Sequence, residues 1–174
     1  MNDRQEKPWV TWADVLTALR VPLAVAFPFL PSHESQLAVL GVVAASDFFD
    51  GFVARRIGGS RTGTILDPIA DKLFMAIAFI TVARSSGLLP VEIVAVLGRD
   101  IVAVLGFFGS VLLGRTLALP ARAGGKAVTV GQLLTLVAAI VQSTLVRPIA
   151  WATAAVGLYA IWDYGRAAAA ARRA

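Results

Sequence analysis

The sequence predicts an all-α protein, an integral membrane bundle of six transmembrane helices with both termini in the cytoplasm. Apolar residues make up 57% of the 174 residues and charged residues only 16%, whereas a soluble domain is typically about half apolar and about a quarter charged. Six long apolar stretches alternate with turn-forming segments, and the basic residues fall mainly on one side of the resulting topology. We expect a single domain, residues 1–174, because no linker or internal repeat divides the chain.

The six apolar stretches each approach the length of a membrane helix, about 20 residues. They run over Ala13–Leu30, Leu37–Ala54, Ile65–Ala83, Val91–Leu113, Val128–Val146 and Ile149–Tyr164. Turn residues separate them at Pro31-Ser32-His33, Gly58-Gly59-Ser60, Ser85-Ser86-Gly87, Ala123-Gly124-Gly125 and around Arg147-Pro148. We therefore expect six helices joined by short turns.

The basic residues orient this topology. Of the 16 Lys and Arg residues, 11 lie on the side of the two termini, and two, Arg84 and Arg147, lie on the other side. The remaining three, Arg20, Lys72 and Arg99, lie within or near the apolar stretches. Such an asymmetry is typical of loops that stay in the cytoplasm. It predicts a multi-pass protein of the inner (cytoplasmic) cell membrane, and the net charge of +5 then faces anionic lipid rather than nucleic acid.

The composition excludes several kinds of chemistry. The chain has no cysteine, and His33 is its one histidine. Disulfides, thiolate metal sites, multi-histidine zinc sites and histidine-centred triads are therefore not expected. Catalysis would depend on carboxylates, arginine, lysine, hydroxyls and bound metal ions.

Four aspartates lie where a membrane protein rarely places charge. Asp47 and Asp50, three residues apart, lie near the cytoplasmic end of the second stretch, and Asp67 and Asp71, four apart, near the start of the third. Each pair shares one face of its helix, and a short turn makes the helices antiparallel neighbours, so the four carboxylates should converge. Any one of them alone would more often be an ordinary helix-terminal charge. Four carboxylates this close require either that some are protonated or that cations bind between them. Oxygen ligands favour Mg²⁺, Mn²⁺ or Ca²⁺, and a pair of such ions suits phosphoryl transfer.

The same segment carries a longer motif. It reads Asp47-x2-Asp50-Gly51-x2-Ala54-Arg55, then seven residues, then Gly63-x3-Asp67-x3-Asp71. This pattern resembles the signature of the CDP-alcohol phosphatidyltransferase family, in which a gap of eight is commoner than seven. The similarity extends to Thr17 and Arg20, to the Arg99-Asp100 pair, and to Lys126, Thr129 and Gln132.

The resemblance implies an activity and a role for each motif residue. A phosphatidyl group would move from CDP-diacylglycerol to a small alcohol, with release of CMP. Asp47, Asp50, Asp67 and Asp71 would hold two Mg²⁺ or Mn²⁺ ions, and Asp71 would also act as the general base. The residues expected to bind the CDP part are Asp47, Gly51, Ala54, Arg55, Gly63 and Asp67. Members of the family usually form homodimers.

The acceptor alcohol is less closely defined. Arg99, Lys126, Arg115 and Arg122 are candidates for binding an acceptor phosphate, because Arg and Lys are the natural partners of phosphate. An ion pair with Asp100 or another acid is an equally good explanation of Arg99. Glycerol 3-phosphate is our first expectation for the acceptor. The alternatives are phosphatidylglycerol, as in a CMP-forming cardiolipin synthase, and inositol phosphate.

Two other classes of membrane protein also use buried acids. An intramembrane prenyltransferase would have two widely separated acidic motifs, whereas both pairs here lie within 25 residues. An intramembrane cation transporter would need acids near mid-membrane, whereas these lie near one face beside a basic loop. The transferase interpretation therefore stands first and the transporter remains the alternative of another class.

Overall fold

The computed structural model describes residues 12–57, 63–112 and 123–171, and within them every regular element is helical. The helices are α1 Trp12–Ala26, α2 His33–Ile57, α3 Gly63–Ser86, α4 Pro90–Leu112, α5 Ala123–Ile140 and α6 Val146–Ala171. A short 3₁₀ turn, Phe27–Phe29, follows α1. The prediction of an all-α chain is confirmed, and each predicted stretch corresponds to one helix.

A helix can cross a membrane only if it is both long enough and apolar enough. In the residues that the structure describes, we find no helix that is both long enough and apolar enough to traverse a bilayer. Six transmembrane spans with cytoplasmic termini therefore stay a prediction.

The chain forms two compact units, Met1–Thr81 and Val82–Ala174. In the first unit α1 packs against α2, and the core includes Phe27 and Phe74, whose rings meet edge-on with their centroids 5.5 Å apart. The entry into α2 is fixed by Ser32 and Ser35. The Ser35 backbone N–H donates to Ser32 Oγ at 3.2 Å, and the Ser32 N–H donates to Ser35 Oγ at 3.2 Å, a reciprocal cap that satisfies donors at the helix start.

The second unit is built around α6, which packs against both α4 and α5. Close approach of α5 and α6 depends on small residues, since a Cβ added to Gly124 would lie 3.3 Å from the Cβ of Ala160. The core of this unit is mixed. Apolar residues such as Leu136 and Ile140 are fully buried, and so is the side chain of Gln132.

The predicted end of the fifth helix was wrong. The fifth stretch was expected to reach Val146, but α5 ends at Ile140. Gln142 adopts the left-handed conformation (φ 53°). Its N–H donates to Ala139 O at 3.2 Å, and the Ser143 N–H donates to Ala138 O at 2.8 Å. These two bonds form a Schellman cap, which ends the helix in the middle of an apolar run.

A second boundary prediction was also wrong. Ala123-Gly124-Gly125 was expected to be turn material, but it forms the first turn of α5. Here the glycines serve close contact between helices rather than chain reversal, as the distances around Gly124 and Gly125 indicate.

Candidate active site

The four signature aspartates lie on two helices. Asp47 and Asp50 are within α2, and Asp67 and Asp71 are within α3. Both helices are continuous through these positions, so the spacings of three and four residues keep each pair on one helix face. The side-chain surroundings of Asp47, Asp50, Gly51, Ala54, Arg55, Gly63 and Asp67 lie outside the described part of the chain.

Asp71 is the signature aspartate whose side chain is described. It is partly buried, with 23% of its side chain exposed, and its Oδ2 lies 3.0 Å from Nζ of Lys72. Among the side chains that the structure describes, no group of three or more acidic or histidine residues could hold a metal ion. The expected convergence of four carboxylates therefore remains a prediction.

Arg20, one of the residues that extend the family similarity, is buried in α1. Only 2% of the residue is exposed, and its Nη2 donates to Ser46 Oγ at 3.4 Å. Ser46 immediately precedes Asp47 in α2, so this contact ties α1 to the part of α2 that carries the first two aspartates.

A polar cluster joins α4 and α5 in the second unit. Arg99 Nη1 donates to Asp100 Oδ1 at 2.8 Å, which confirms the ion pair that the sequence offered as an explanation of Arg99. The other oxygen of this carboxylate, Asp100 Oδ2, accepts from Gln132 Nε2 at 2.7 Å. The same Gln132 nitrogen also donates to the backbone carbonyl of Val96 at 3.1 Å. Asp100 is 4% exposed and Gln132 is fully buried.

The cluster continues into α6 through Tyr164. Arg99 Nη2 donates to Tyr164 Oη at 3.1 Å, and Arg99 Cζ lies 5.6 Å from the centroid of the tyrosine ring. Both groups lie against Gly125 at the start of α5. A Cβ at that position would be 2.6 Å from Arg99 Nη2 and 2.9 Å from Tyr164 Oη.

Two polar atoms of this cluster have no hydrogen-bond partner in the described part of the chain. Arg99 Nε and Gln132 Oε1 are buried, and neither makes a hydrogen bond among the described residues. The first is a donor and the second an acceptor, and an unpaired buried polar group is costly unless water or a ligand satisfies it. Of the Arg99 side chain as a whole, 15% is exposed.

The other candidate acceptor residues are less defined. Lys126 lies in the first turn of α5 and is exposed. Arg115 and Arg122 lie outside the described residues. Of the four expected cations, the structure thus places one, Arg99, in a built polar cluster.

Sequence reasoning missed two members of these sites. Tyr164 is not among the candidate site residues of the sequence, yet its hydroxyl accepts a hydrogen bond from Arg99. Lys72 was placed only in or near a span, yet it pairs with Asp71. Adjacency to the last signature aspartate was the available signal for Lys72. No local pattern marks Tyr164, because it lies 65 residues from Arg99 along the chain.

Comparison with known proteins gives one family match and several relatives. The sequence model of the CDP-alcohol phosphatidyltransferase family matches residues 10–160. A CDP-diacylglycerol–glycerol-3-phosphate 3-phosphatidyltransferase of Pseudomonas fluorescens is 36% identical over 121 residues, which cover 66% of this chain and 60% of that protein. The protein of the same name from Aquifex aeolicus is 38% identical over 88 residues, 49% of each chain.

A relative with a different name also matches. The human CMP-forming cardiolipin synthase is 32% identical over 109 residues, which cover 59% of this chain and 36% of that protein. In all three alignments the chain covers less than two thirds of the relative's own length.

Proposed function

Because the chain belongs to the CDP-alcohol phosphatidyltransferase family, we propose that it transfers the phosphatidyl group of CDP-diacylglycerol to a small alcohol and releases CMP. The observation that carries the proposal is the complete eight-residue signature, from Asp47 to Asp71, inside a family match that spans residues 10–160. The match confirms the family that this motif predicts.

Glycerol 3-phosphate is the acceptor we propose first. It is the acceptor in the names of the Pseudomonas and Aquifex relatives. Phosphatidylglycerol is the alternative, because the human relative is a cardiolipin synthase. Both alcohols carry a phosphate, and a basic group near the acceptor hydroxyl serves either one.

Divalent metal ions suit the donor set of the signature. Asp47, Asp50, Asp67 and Asp71 offer carboxylate oxygens alone, the ligand type that Mg²⁺ and Mn²⁺ prefer. We propose that these four residues hold two such ions, which supply positive charge at the pyrophosphate of the donor.

Asp71 is the group we assign to proton transfer. The acceptor hydroxyl oxygen forms a bond to the lipid-side phosphorus, the bond from this phosphorus to the CMP oxygen breaks, and the hydroxyl proton passes to the Asp71 carboxylate. The partial exposure of Asp71 is consistent with access by an acceptor. Gly51, Ala54, Arg55 and Gly63, together with Asp47 and Asp67, are assigned to the CDP part of the donor.

Arg99 is the acceptor-binding residue with the most structural support, because its guanidinium is fixed by two neighbours and keeps an unpaired buried N–H. Lys126, Arg115 and Arg122 complete the proposed acceptor set. Each brings positive charge of the kind that phosphate selects.

We place the protein in the inner cell membrane, with the active site facing the cytoplasm, as a homodimer. The apolar content of 57% supports a membrane location. So do large apolar side chains that the described helices leave exposed, among them Ile80, Val94, Leu105 and Leu158. The excess of basic residues on the side of the aspartates supports the orientation.

The test is release of CMP by purified protein in nanodiscs that contain CDP-diacylglycerol and Mg²⁺, with acceptors offered one at a time. Release that depends on glycerol 3-phosphate or phosphatidylglycerol would name the reaction and its product together. EDTA should stop release, and added Mg²⁺ or Mn²⁺ should restore it. If folded protein releases no CMP with any acceptor, the proposal is wrong, and cation transport becomes the hypothesis to test.

A further inference from the structure

Arg99 is held from two sides. Nη1 is bound by the Asp100 carboxylate at 2.8 Å and Nη2 by the Tyr164 hydroxyl at 3.1 Å. Asp100 is itself held, because Gln132 Nε2 donates to its second oxygen at 2.7 Å. A guanidinium has five N–H donors in one plane, so contacts on both terminal nitrogens fix the position and orientation of that plane.

The contacts on Arg99 leave a defined donor free. Nε–H has no hydrogen-bond partner among the described residues and is buried. A guanidinium that offers N–H donors from a fixed plane is the usual ligand for a phosphate oxygen. Nε itself is buried, whereas 15% of the Arg99 side chain is exposed, so a phosphate oxygen reaches Nε only after a small shift of the side chains around it.

Gly125 keeps this arrangement possible. A Cβ there would lie 2.6 Å from Arg99 Nη2 and 2.9 Å from Tyr164 Oη, closer than unbonded atoms approach. Any larger residue would therefore displace the guanidinium, the phenol or both. Ordinary helix packing does not require a glycine here, because the atoms that would clash are the two polar ends and no backbone atom is among them.

We propose that Tyr164 is a positioning residue for the acceptor's phosphate, and that with Asp100 it fixes Arg99 over Gly125 so that the guanidinium binds that phosphate. The inference rests on the proposed function, since it assigns Arg99 to the acceptor rather than to the donor. The recognised chemistry is a phosphate attached to the acceptor alcohol. Glycerol 3-phosphate carries it as a monoester in solution and phosphatidylglycerol as a diester in the bilayer.

Steady-state kinetics of Tyr164→Phe in nanodiscs provide the first test. The variant keeps the ring and loses the hydroxyl that binds Arg99. Because a hydrogen bond to a charged group is lost, we expect KM for the acceptor to rise about tenfold. The kcat, the KM for CDP-diacylglycerol and the thermal midpoint should stay near their wild-type values. The matched control is Tyr159→Phe, because Tyr159 is 60% exposed and packs its ring against Trp162 at 5.9 Å.

A second variant reaches the same site from another helix. Gly125→Ala should raise the acceptor KM by displacing Arg99 and Tyr164. Gly98→Ala is its control, because a Cβ at Gly98 meets nothing within 4 Å. The proposal is overturned if Tyr164→Phe keeps the wild-type acceptor KM, or if the donor and acceptor KM rise together, as a purely structural role would make them do.

Binding without turnover separates this inference from the proposed function. Calorimetric titration with glycerol 3-phosphate, in the absence of the CDP donor, should show weaker binding to Tyr164→Phe than to wild type. If wild type binds glycerol 3-phosphate through Tyr164 but releases no CMP, the proposed function fails and the phosphate site stands. The phosphate site is wrong if two results are found together. The first is that wild type and Tyr164→Phe bind glycerol 3-phosphate equally, or that neither binds it. The second is that Tyr164→Phe turns over phosphatidylglycerol as wild type does.

Discussion

Trp151 donates its indole N–H to the buried carboxylate of Glu92 at 3.2 Å, and this bond joins the beginning of α6 to the beginning of α4. Glu92 also accepts the backbone N–H of Leu89 at 2.8 Å, as a capping residue does at the third position of a helix. Arg147 adds an ion pair, with Nε 3.6 Å from Glu92 Oε2, and its Nη2 donates to the Gly87 carbonyl at 3.1 Å.

Glu92→Ala should destabilise the protein by about 2 kcal/mol, because it removes the acceptor of the Leu89 backbone N–H and of the Trp151 indole N–H together with the ion-pair partner of Arg147. Chemical unfolding in detergent, followed by tryptophan fluorescence, measures the change. Glu34→Ala is the control, since Glu34 is exposed in the first turn of α2. Equal stability of the two variants would contradict a role for Glu92 in joining the helices.

Gln142→Gly should stabilise the protein by about 1 kcal/mol, because glycine adopts the left-handed conformation without the steric cost that other residues carry. The Schellman bonds of Gln142 and Ser143 use backbone atoms and survive the substitution. Thermal unfolding is the measurement. Gln142→Ala keeps a Cβ at this position and should give no such gain; a gain from alanine equal to that from glycine would argue against strain at this residue.

Gly131→Ala should destabilise the packing of α5 on α6 by about 1–3 kcal/mol, because its new methyl group would overpack the interface. That Cβ would lie 2.6 Å from Thr153 Oγ1 and 2.9 Å from Thr153 Cγ2. Adding Thr153→Ala removes both atoms and should recover much of the loss, a non-additive result expected of neighbours. Unfolding midpoints of the two single variants and the double variant test this; purely additive effects would refute the steric explanation.

Asp71→Asn should lower kcat by about a thousandfold, because an amide cannot take up the acceptor's proton. The fold should survive, and some binding of CDP-diacylglycerol should remain. Single-turnover CMP release is the measurement, and Glu34→Gln is a control that removes a carboxylate from an exposed position. Near-normal turnover in Asp71→Asn would show that another group acts as the base.

The helices could be predicted from sequence because apolar periodicity and turn residues act locally. Each of the six stretches corresponds to one helix. The end of α5 could not be predicted, because Gln142 carries no glycine signal for its left-handed cap. The turn expected at Gly124 and Gly125 was wrong for a related reason, since a glycine needed for contact with another helix looks the same in sequence as one needed for a turn.

The residues of the candidate site also differ in whether local sequence could reveal them. The signature aspartates, and the pair formed by Arg99 and Asp100, were recognisable because their members lie close together in sequence. The bond from Arg99 to Tyr164 joins residues 65 positions apart, and the bond from Trp151 to Glu92 joins residues 59 apart. Such pairs arise only when the helices pack, so one sequence alone does not reveal them.

The bonds of Gln132 limit how the second unit can move. Its Nε2 donates both to the Val96 carbonyl and to the Asp100 carboxylate of α4. These two bonds fix the rotation of α5 about its axis and its position along α4. Shifting α5 by one residue turns it by about 100°, which would break both bonds and leave Asp100 without this donor. We therefore expect α4, α5 and α6 to keep this register through any motion of the second unit, because α6 packs against both of the other helices.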